Sequence, residues 1–252
     1  GGASGLVAGT RVRARRFLGV YVGLTAAGVG LLLLAGEGLF HAAAYALAAV
    51  STGGFAPSAG SLGALGGWPA QAAVTLLCLA GAAPLVLHHR LHRLGPGRGR
   101  DLAQLYWLAA AGLAVSAATC LCLAGQGFAW PAAAGHGLLM GLSAQTTSGF
   151  SSLDPAYLDP AARAVVMAAM AVGGGVGSTA GGFKVLRLII AAQVVLALVR
   201  RACLPPHAVS HPRLAGRRLE EEDLKGALVL ILLFAAVVFV SWLPFLAAGY
   251  DP

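Results

Sequence analysis

A glycine-rich stretch decides the fold of this chain: residues 173–187 read GGGVGSTAGGFKVLR. It lies inside a 39-residue run without acidic residues, 161–199, which as one helix would measure about 58 Å, almost twice the thickness of a bilayer core. Because each glycine disfavours a helix by about 1 kcal/mol relative to alanine, we predict that the helix breaks at mid-membrane. Irregular backbone at that depth is tolerated only where it is buried in protein or lines a water-filled cavity, so the break points to a transport pathway.

The composition is typical of a membrane protein. Hydrophobic residues make up 58% of the 252 residues, charged residues only 10%, and the mean hydropathy is +0.79, whereas a soluble domain is about a quarter charged. Two apolar stretches, 39–50 and 132–145, are too short to cross a bilayer and end in polar Ser/Thr/Gly clusters, which indicates re-entrant helices. Four uncharged stretches are long enough to span it: 17–35, 70–87, 102–124 and 226–248.

The charge pattern orients the chain and argues against nucleic acid as a partner. The net charge is formally +8, but the basic residues form short clusters between the apolar runs, and 14 of the 17 lie on one predicted side. By the positive-inside rule this side is cytoplasmic. The other side carries Glu37, Asp154, Asp159 and Asp251 against Arg163. These acids either enrich cations at an acidic mouth or, in the case of Asp159, cap a helix.

The chain contains an internal repeat. The sequence LAGEG at 34–38 parallels LAGQG at 123–127, and STGGF at 51–55 parallels TTSGF at 146–150. The second pair is 95 residues apart and the first pair 89, which predicts a small insertion in the second half. Each half reads span, short helix, polar loop and span, so we predict an all-α membrane protein of tandem units that each contain a re-entrant helix. Because the chain begins without methionine and a third unit stops before its loop, we expect a fragment.

The two polar loops have the composition of a cation filter. A dehydrated cation needs oxygen ligands, which potassium filters supply as rings of backbone carbonyls, and glycine permits the dihedral angles that aim carbonyls at an axis. The short helix before each loop adds the negative end of its dipole. Serine, threonine and glycine also make ordinary structural loops, which is the alternative interpretation. The candidate ion-binding residues are Ser51, Thr52, Gly53, Gly54, Thr146, Thr147, Ser148 and Gly149.

These residues resemble the Trk/Ktr/HKT potassium transporter superfamily. The sequences VSTGGF at 50–55 and QTTSGF at 145–150 are similar to its second and third filter loops, and 173–187 is similar to the glycine-rich break in the inner helix of its third repeat. The ending KVLR is closer to the TrkH branch than to the Ktr branch. Two features depart from the family: 81–84 lacks the polar residues expected there, and Ser148 stands where threonine or alanine is more usual.

The resemblance implies potassium uptake across the bacterial inner membrane, with potassium as the transported ion at Thr52, Gly54, Thr147 and Gly149 and no covalently bound cofactor. It implies an all-α fold of four potassium-channel-like M1-P-M2 repeats (helix, re-entrant pore helix with filter loop, helix) around a pseudo-fourfold pore. It also implies a homodimer in membrane lipid, regulated by a cytoplasmic nucleotide-binding subunit of the TrkA type. By the resemblance, the chain divides into the second repeat at 1–100, the third repeat at 101–203, and a cytoplasmic loop with the first helix of a truncated repeat at 204–252.

The resemblance assigns an intramembrane gate to the glycine-rich break. Lys184 and Arg187 share a helix face just past it, and charges within a membrane indicate function. They would hold the gate through its carbonyls or repel cations in the closed state; alternatively they extend to the cytoplasmic interface. The candidate gate residues are Gly173, Gly174, Gly175, Gly177, Ser178, Thr179, Gly181, Gly182, Lys184 and Arg187.

Two other classes of function, a secondary transporter and an intramembrane enzyme, are alternatives to the pore. A secondary transporter with broken helices that bind a substrate at the midplane is the alternative. It accounts for the glycine-rich break but not for two threonine and glycine loops. An intramembrane enzyme is disfavoured, because the spans contain no Asp or Glu and because His41 and His136 lie in the short helices without evident partners.

Overall fold

The computed structural model describes residues 2–90, 98–203, 213–214, 217–218 and 221–249, which fold into nine α-helices. Their bounds are α1 (Gly2–Leu34), α2 (Leu39–Val50), α3 (Trp68–Ala82), α4 (Leu85–Arg90), α5 (Arg98–Gly125), α6 (Trp130–Gln145), α7 (Pro160–Val172), α8 (Val185–Cys203) and α9 (Glu221–Ala247). Short 3-10 helices occupy Ser61–Ala64 and Pro155–Tyr157, and β1 (Arg213–Leu214) pairs antiparallel with β2 (Arg217–Arg218). The predicted all-α fold is confirmed apart from this two-residue hairpin.

Three helices of the described part are long and apolar enough to cross a membrane: Ala14–Leu34, Leu102–Gly125 and Leu224–Ala247. They match three of the predicted spans to within a few residues. In the last of them only 6% of the most apolar window is buried within the chain. Because so much apolar surface is stable only against lipid or other protein, the chain is a membrane protein.

The predicted span at 70–87 is wrong as a single helix. The chain leaves the helix after α3 at Ala83, whose backbone is extended with φ −74° and ψ 149°, and re-enters one at α4. Pro84 causes this break, because proline lacks an N–H, clashes with the preceding turn and disfavours helical dihedral angles in the residue before it. The inner helix of the first unit is therefore interrupted, as is the inner helix of the second.

The internal repeat is visible in the backbone, but the register of its first part needs correction. Gly36 and Gly127 occupy the same position in the turn before each short helix, with φ of +92° and +94°. They lie 91 residues apart, not the 89 that the matched letters suggest. Helix α6 has 16 residues and α2 has 12, so the insertion predicted in the second half is one additional helical turn in α6.

Helices α5 and α6 pack closely because glycines of α6 face the backbone of α5. A β-carbon at Gly141 would lie 2.5 Å from Ser116 Cα, and one at Gly137 would lie 2.7 Å from the nitrogen of Cys120. Both distances are far shorter than a normal carbon contact, so a side chain at either position would separate the two helices.

We expect Gly141→Val to lower the thermal stability of the protein markedly, since overpacking a close helix contact costs about 1–3 kcal/mol. Gly30→Val is the matched control, because a β-carbon at Gly30 has no neighbour within 4 Å. Thermal melting in detergent, followed by size-exclusion chromatography, measures both variants. Equal melting temperatures for the two would contradict the close packing of α5 and α6.

Candidate functional site

The two candidate filter loops, 51–54 and 146–149, have the same backbone conformation. Thr52 and Thr147 take left-handed dihedral angles with φ of +51° and +59°, and two residues later Gly54 and Gly149 do so with φ of +70° and +76°. A β-branched residue rarely adopts this conformation. Both equivalent threonines have this conformation, so the geometry of the loop imposes it. Thr52 and Thr147 are 95 residues apart, which is the spacing that the sequence repeat predicts.

Each loop closes the end of the short helix before it, which we call the pore helix (α2 or α6). In the first loop the N–H of Gly53 donates to Ala48 O at 2.8 Å, and in the second the N–H of Ser148 donates to Ser143 O at 3.0 Å. The N–H groups of Thr52, Thr147 and Gly149 also donate to carbonyls of the pore helices. Among the described residues, by contrast, no hydrogen bond ends on a carbonyl oxygen of 52–54 or 147–149. Hydrogen bonding within the described part therefore leaves these carbonyl oxygens without a donor.

The first and second filter loops touch each other. A β-carbon at Gly54 would lie 1.8 Å from Ser148 O, so the two backbones leave no room for a side chain. At Gly149 the nearest atom to such a β-carbon is the terminal methyl carbon of Met170, at 3.5 Å. The equivalent glycines therefore have different surroundings: Gly54 faces a neighbouring filter loop, and Gly149 faces a side chain of α7.

An aromatic residue follows each loop, and only the second is anchored. Phe150 is 2% exposed, and its ring lies 5.9 Å from that of Tyr45 on the first pore helix. Its counterpart Phe55 is 81% exposed. The role of anchor predicted for the aromatic residue therefore applies to Phe150, which fixes the second filter loop against the first unit.

The segment after the second filter loop is tied to both units. The N–H of Leu62 donates to Ser151 O at 2.9 Å, and the N–H of Ser151 donates to the hydroxyl of Ser61 at 3.1 Å. The ring nitrogen Nδ1 of His136 lies 2.9 Å from the hydroxyl of Ser152. The expectation that His136 has no partner is therefore wrong, and this contact positions the segment after the filter.

The acidic residues of the outer side are bound locally. Asp159 Oδ1 accepts the N–H of Ala162 at 2.8 Å and caps α7, which is the capping alternative considered for it. Asp154 and Glu37 likewise accept backbone N–H groups, at 2.9 Å and 2.8 Å. Asp251 lies outside the described residues.

The predicted break in the 161–199 run is present. Helix α7 ends at Val172 and α8 begins at Val185, and we call residues 173–184 between them the glycine-rich loop. Its two ends cross closely: a β-carbon at Gly173 would lie 2.1 Å from Gly181 O, and one at Gly182 would lie 2.6 Å from the α-carbon of Gly173. No residue with a side chain fits at this crossing.

The glycine-rich loop is hydrogen-bonded to the ends of both pore helices. The hydroxyl of Thr179 lies 2.8 Å from Val50 O, and Val50 is the last residue of α2. The side-chain amide of Gln145, the last residue of α6, donates to Gly173 O at 2.8 Å. The N–H of Gly181 donates to the hydroxyl of Thr147 at 2.6 Å. The loop therefore lies directly against both candidate filter loops.

The break between α3 and α4 receives the glycine-rich loop, a contact that the sequence analysis missed. The N–H of Thr179 donates to Gly81 O at 3.1 Å, and the N–H of Gly175 donates to Ala82 O at 2.9 Å. The hydroxyl of Thr179 also lies 3.0 Å from Gly81 O. The break frees the carbonyl oxygens of Gly81 and Ala82 from the helix, and these oxygens accept hydrogen bonds from the loop. They provide polar groups in a segment, 81–84, that lacks the polar side chains expected from the family. The signal was Pro84, near the end of a predicted span.

Further contacts within the glycine-rich loop keep it compact. The hydroxyl of Ser178 donates to Gly175 O at 2.6 Å. The N–H of Val185 donates to Gly174 O at 3.0 Å. Lys184 has φ +72°, and its ammonium group donates to Ala180 O. This contact agrees with the first role considered for Lys184, in which it holds the loop by binding a backbone carbonyl. Gly177 is the exposed tip of the loop. The prediction that Lys184 and Arg187 share a helix face is wrong, because Lys184 lies in the loop before α8 with a left-handed backbone, whereas Arg187 lies on α8 and is half-buried.

Two buried glutamines were also missed. Gln104 on α5 is 4% exposed and accepts the N–H of Val176 at 2.9 Å, and Gln145 is 0% exposed. In the described part of the chain Gln145 Oε1 has no hydrogen-bond partner. The available signal was a lone amide side chain within or beside an apolar run, which is costly to bury unless it is hydrogen-bonded.

Comparison with known proteins agrees with this geometry. Residues 130–245 match the family model described as TrkH, a cation transport protein. An uncharacterized cation transporter of Methanocaldococcus jannaschii is 30% identical over 111 residues, which are 44% of this chain and 23% of that protein. The crystal structure of the potassium transporter TrkH from Vibrio parahaemolyticus superposes with a TM-score of 0.85 and 22% identity.

The structural match covers 96% of this chain and 52% of the Vibrio TrkH chain, so this chain spans about half the length of that protein. The fold is therefore that of TrkH. The resemblance to the Trk superfamily drawn from the sequence is confirmed, and the matched proteins are transporters and not enzymes.

Proposed function

We propose that this chain forms part of a TrkH-type pore that takes up potassium across a bacterial inner membrane. One observation carries the proposal: two equivalent loops at the ends of two pore helices present carbonyl oxygens that accept no hydrogen bond among the described residues. Carbonyl oxygens in such loops replace the hydration shell of potassium. The candidate ligands are the backbone oxygens of Thr52, Gly54, Thr147 and Gly149.

The glycine-rich loop is the proposed gate. It is bonded to the last residue of each pore helix and to the hydroxyl of Thr147, so in this conformation it occupies the space next to both filter loops. Opening requires the loop to leave these contacts, and the broken inner helices on either side of it provide the freedom to move. Lys184 holds the loop in its closed form through Ala180 O.

The remaining features of the proposal follow the TrkH relatives. Residues 1–100 and 101–203 are proposed as two pore repeats, and 204–252 as a cytoplasmic loop with the first helix of another. A homodimer regulated by a cytoplasmic nucleotide-binding subunit of the TrkA type is proposed, with that subunit against the basic connections of the cytoplasmic side. The charge of these connections suits an acidic protein surface.

Growth of a potassium-uptake-deficient bacterium at low potassium tests the proposed function. We expect the protein, expressed from its complete gene, to restore growth, and Gly54→Asp or Gly149→Asp to remove it while the protein stays in the membrane. A carboxylate at either glycine would bind the cation too tightly and distort the loop. Uptake indifferent to both changes, or no uptake from well-inserted protein, would favour the broken-helix transporter instead.

A further inference from the structure

The tip of the glycine-rich loop, residues 175–177, is held by two separate elements. On one side the N–H of Leu85, the first residue of α4, donates to Gly177 O at 3.1 Å. On the other side the N–H of Val176 donates to Gln104 Oε1 of α5 at 2.9 Å. The position of the tip therefore depends on where α4 and α5 stand relative to each other.

Gln104 contacts the loop from within an apolar face of α5. Leu108, one turn further along α5 and 1% exposed, packs with Ala180 of the loop and with Val185, the first residue of α8. Gln104 itself is 4% exposed. An amide buried in such a face is costly unless it is hydrogen-bonded, and its oxygen is used by the loop N–H. Gln104 therefore fixes the position of the loop through its side-chain oxygen. An apolar side chain at this position could fill the same space but could not bind the loop.

The two elements that hold the tip are joined directly in sequence. Helix α4 ends at Arg90 and α5 begins at Arg98, and the joining segment lies on the predicted cytoplasmic side. The sequence around it is basic, with Arg93 inside the connection and Arg100 just after it. A displacement of α4 relative to α5 therefore strains the two hydrogen bonds at the tip.

We propose that Gln104 is a positioning residue that locks the glycine-rich loop in its closed place, and that separation of α4 from α5 is the movement that releases it. This inference rests on the proposed function of the loop as a gate. Opening then begins at the tip, where the hydrogen bonds to Gln104 and Leu85 break. The contacts of Thr179 and Gln145 with the pore helices are released after them.

The test is the basal potassium flux through the protein, expressed from its complete gene and reconstituted in liposomes without a regulatory protein. We expect Gln104→Met, which keeps the length of the side chain and removes its carbonyl acceptor, to raise basal flux by about fivefold, as expected for one hydrogen bond. Gln104→Glu keeps an acceptor oxygen and should restore the wild-type value. Thr119→Val is the control, because among the described residues this buried hydroxyl on α5 bonds only to Val115 O of its own helix.

A second variant addresses the other contact. Leu85→Pro removes the N–H that binds Gly177 O, and proline is well tolerated at the first position of a helix. It should raise basal flux as Gln104→Met does, and it carries the test if the Gln104 variant does not reach the membrane.

The outcomes separate this inference from the proposed function. Basal flux of wild-type size in inserted Gln104→Met or Leu85→Pro, or an effect of Gln104→Glu equal to that of Gln104→Met, would overturn the role of Gln104 while the pore stands. Failure of the wild-type protein to transport potassium in cells or liposomes would instead overturn the proposed function. Raised flux with unchanged preference for potassium over sodium is the result we expect, because the filter loops are untouched.

Discussion

Replacing Gly54 by alanine should abolish potassium uptake, whereas alanine at Gly149 should only reduce it. Both glycines have left-handed dihedral angles, with φ of +70° and +76°, which cost an alanine about 1–2 kcal/mol. At Gly54 the added carbon would in addition lie 1.8 Å from Ser148 O, an impossible contact between two backbones. At Gly149 the nearest atom is the flexible end of Met170, 3.5 Å away.

The pair of variants makes the comparison sharp, because the same atom is added at equivalent positions of two repeats. We expect uptake with Gly149→Ala to fall by about tenfold, the rate equivalent of the backbone cost, and uptake with Gly54→Ala to be undetectable. Initial rates of rubidium uptake in whole cells, normalised to the amount of protein in the membrane, measure both. Equal rates for the two variants would show that the loops do not touch as described.

Replacing Thr179 by valine should make the pore leak. The hydroxyl of Thr179 lies within hydrogen-bond distance of two carbonyls, Val50 O at 2.8 Å and Gly81 O at 3.0 Å, and thus joins the glycine-rich loop to both the first pore helix and the α3–α4 break. Valine has the same shape and lacks the hydroxyl. Loss of one buried donor destabilises a contact by about 1–3 kcal/mol, so the ratio of closed to open protein should fall by about tenfold or more.

Thr75→Val is the matched control for Thr179→Val. The same hydroxyl is removed, but that of Thr75, buried in α3, donates to Gln71 O of its own helix at 2.9 Å. Its removal should leave basal flux near the wild-type value. Basal potassium efflux from loaded liposomes measures both variants. A leak of equal size in the two would mean that the link from Thr179 to Val50 O has no special part.

Local features of the fold were predictable from the sequence because short-range chemistry sets them. The first pore helix was predicted at 39–50 and is found at Leu39–Val50, since an apolar stretch between two polar turns has few other conformations. The break after Val172 followed from the density of glycines. The break at Pro84 has an equally clear cause in the sequence, because proline interrupts a helix even within an apolar run.

The alignment of the two repeats shows that sequence similarity alone can give the wrong register. LAG occurs in both halves, but the turn geometry aligns Gly36 with Gly127 and not with the glycine two residues earlier. The dihedral angle, which no sequence letter records, decides the correspondence.

Contacts between distant elements were the part that sequence could not supply. Gln145 and Thr179 were visible as polar residues near a break, but their partners are backbone carbonyls, which every residue has. The pairing of Gln104 with Val176 spans 72 positions and depends on where α5 crosses the loop. Such partners are determined by packing. For this reason Thr179 could be named from the sequence but its partners could not, and the two glutamines were not named as candidates at all.

Epistasis between the filter and the glycine-rich loop tests the central claim most directly: that the two filter loops line one cation path, which the loop closes. The measurement is basal potassium flux in liposomes for Thr179→Val, alone and combined with Gly54→Ala. We predict that the single variant leaks and that the double variant does not, because the leak must pass the damaged filter. A leak that persists in the double variant would contradict the claim, since potassium would then cross by a route that avoids Gly54.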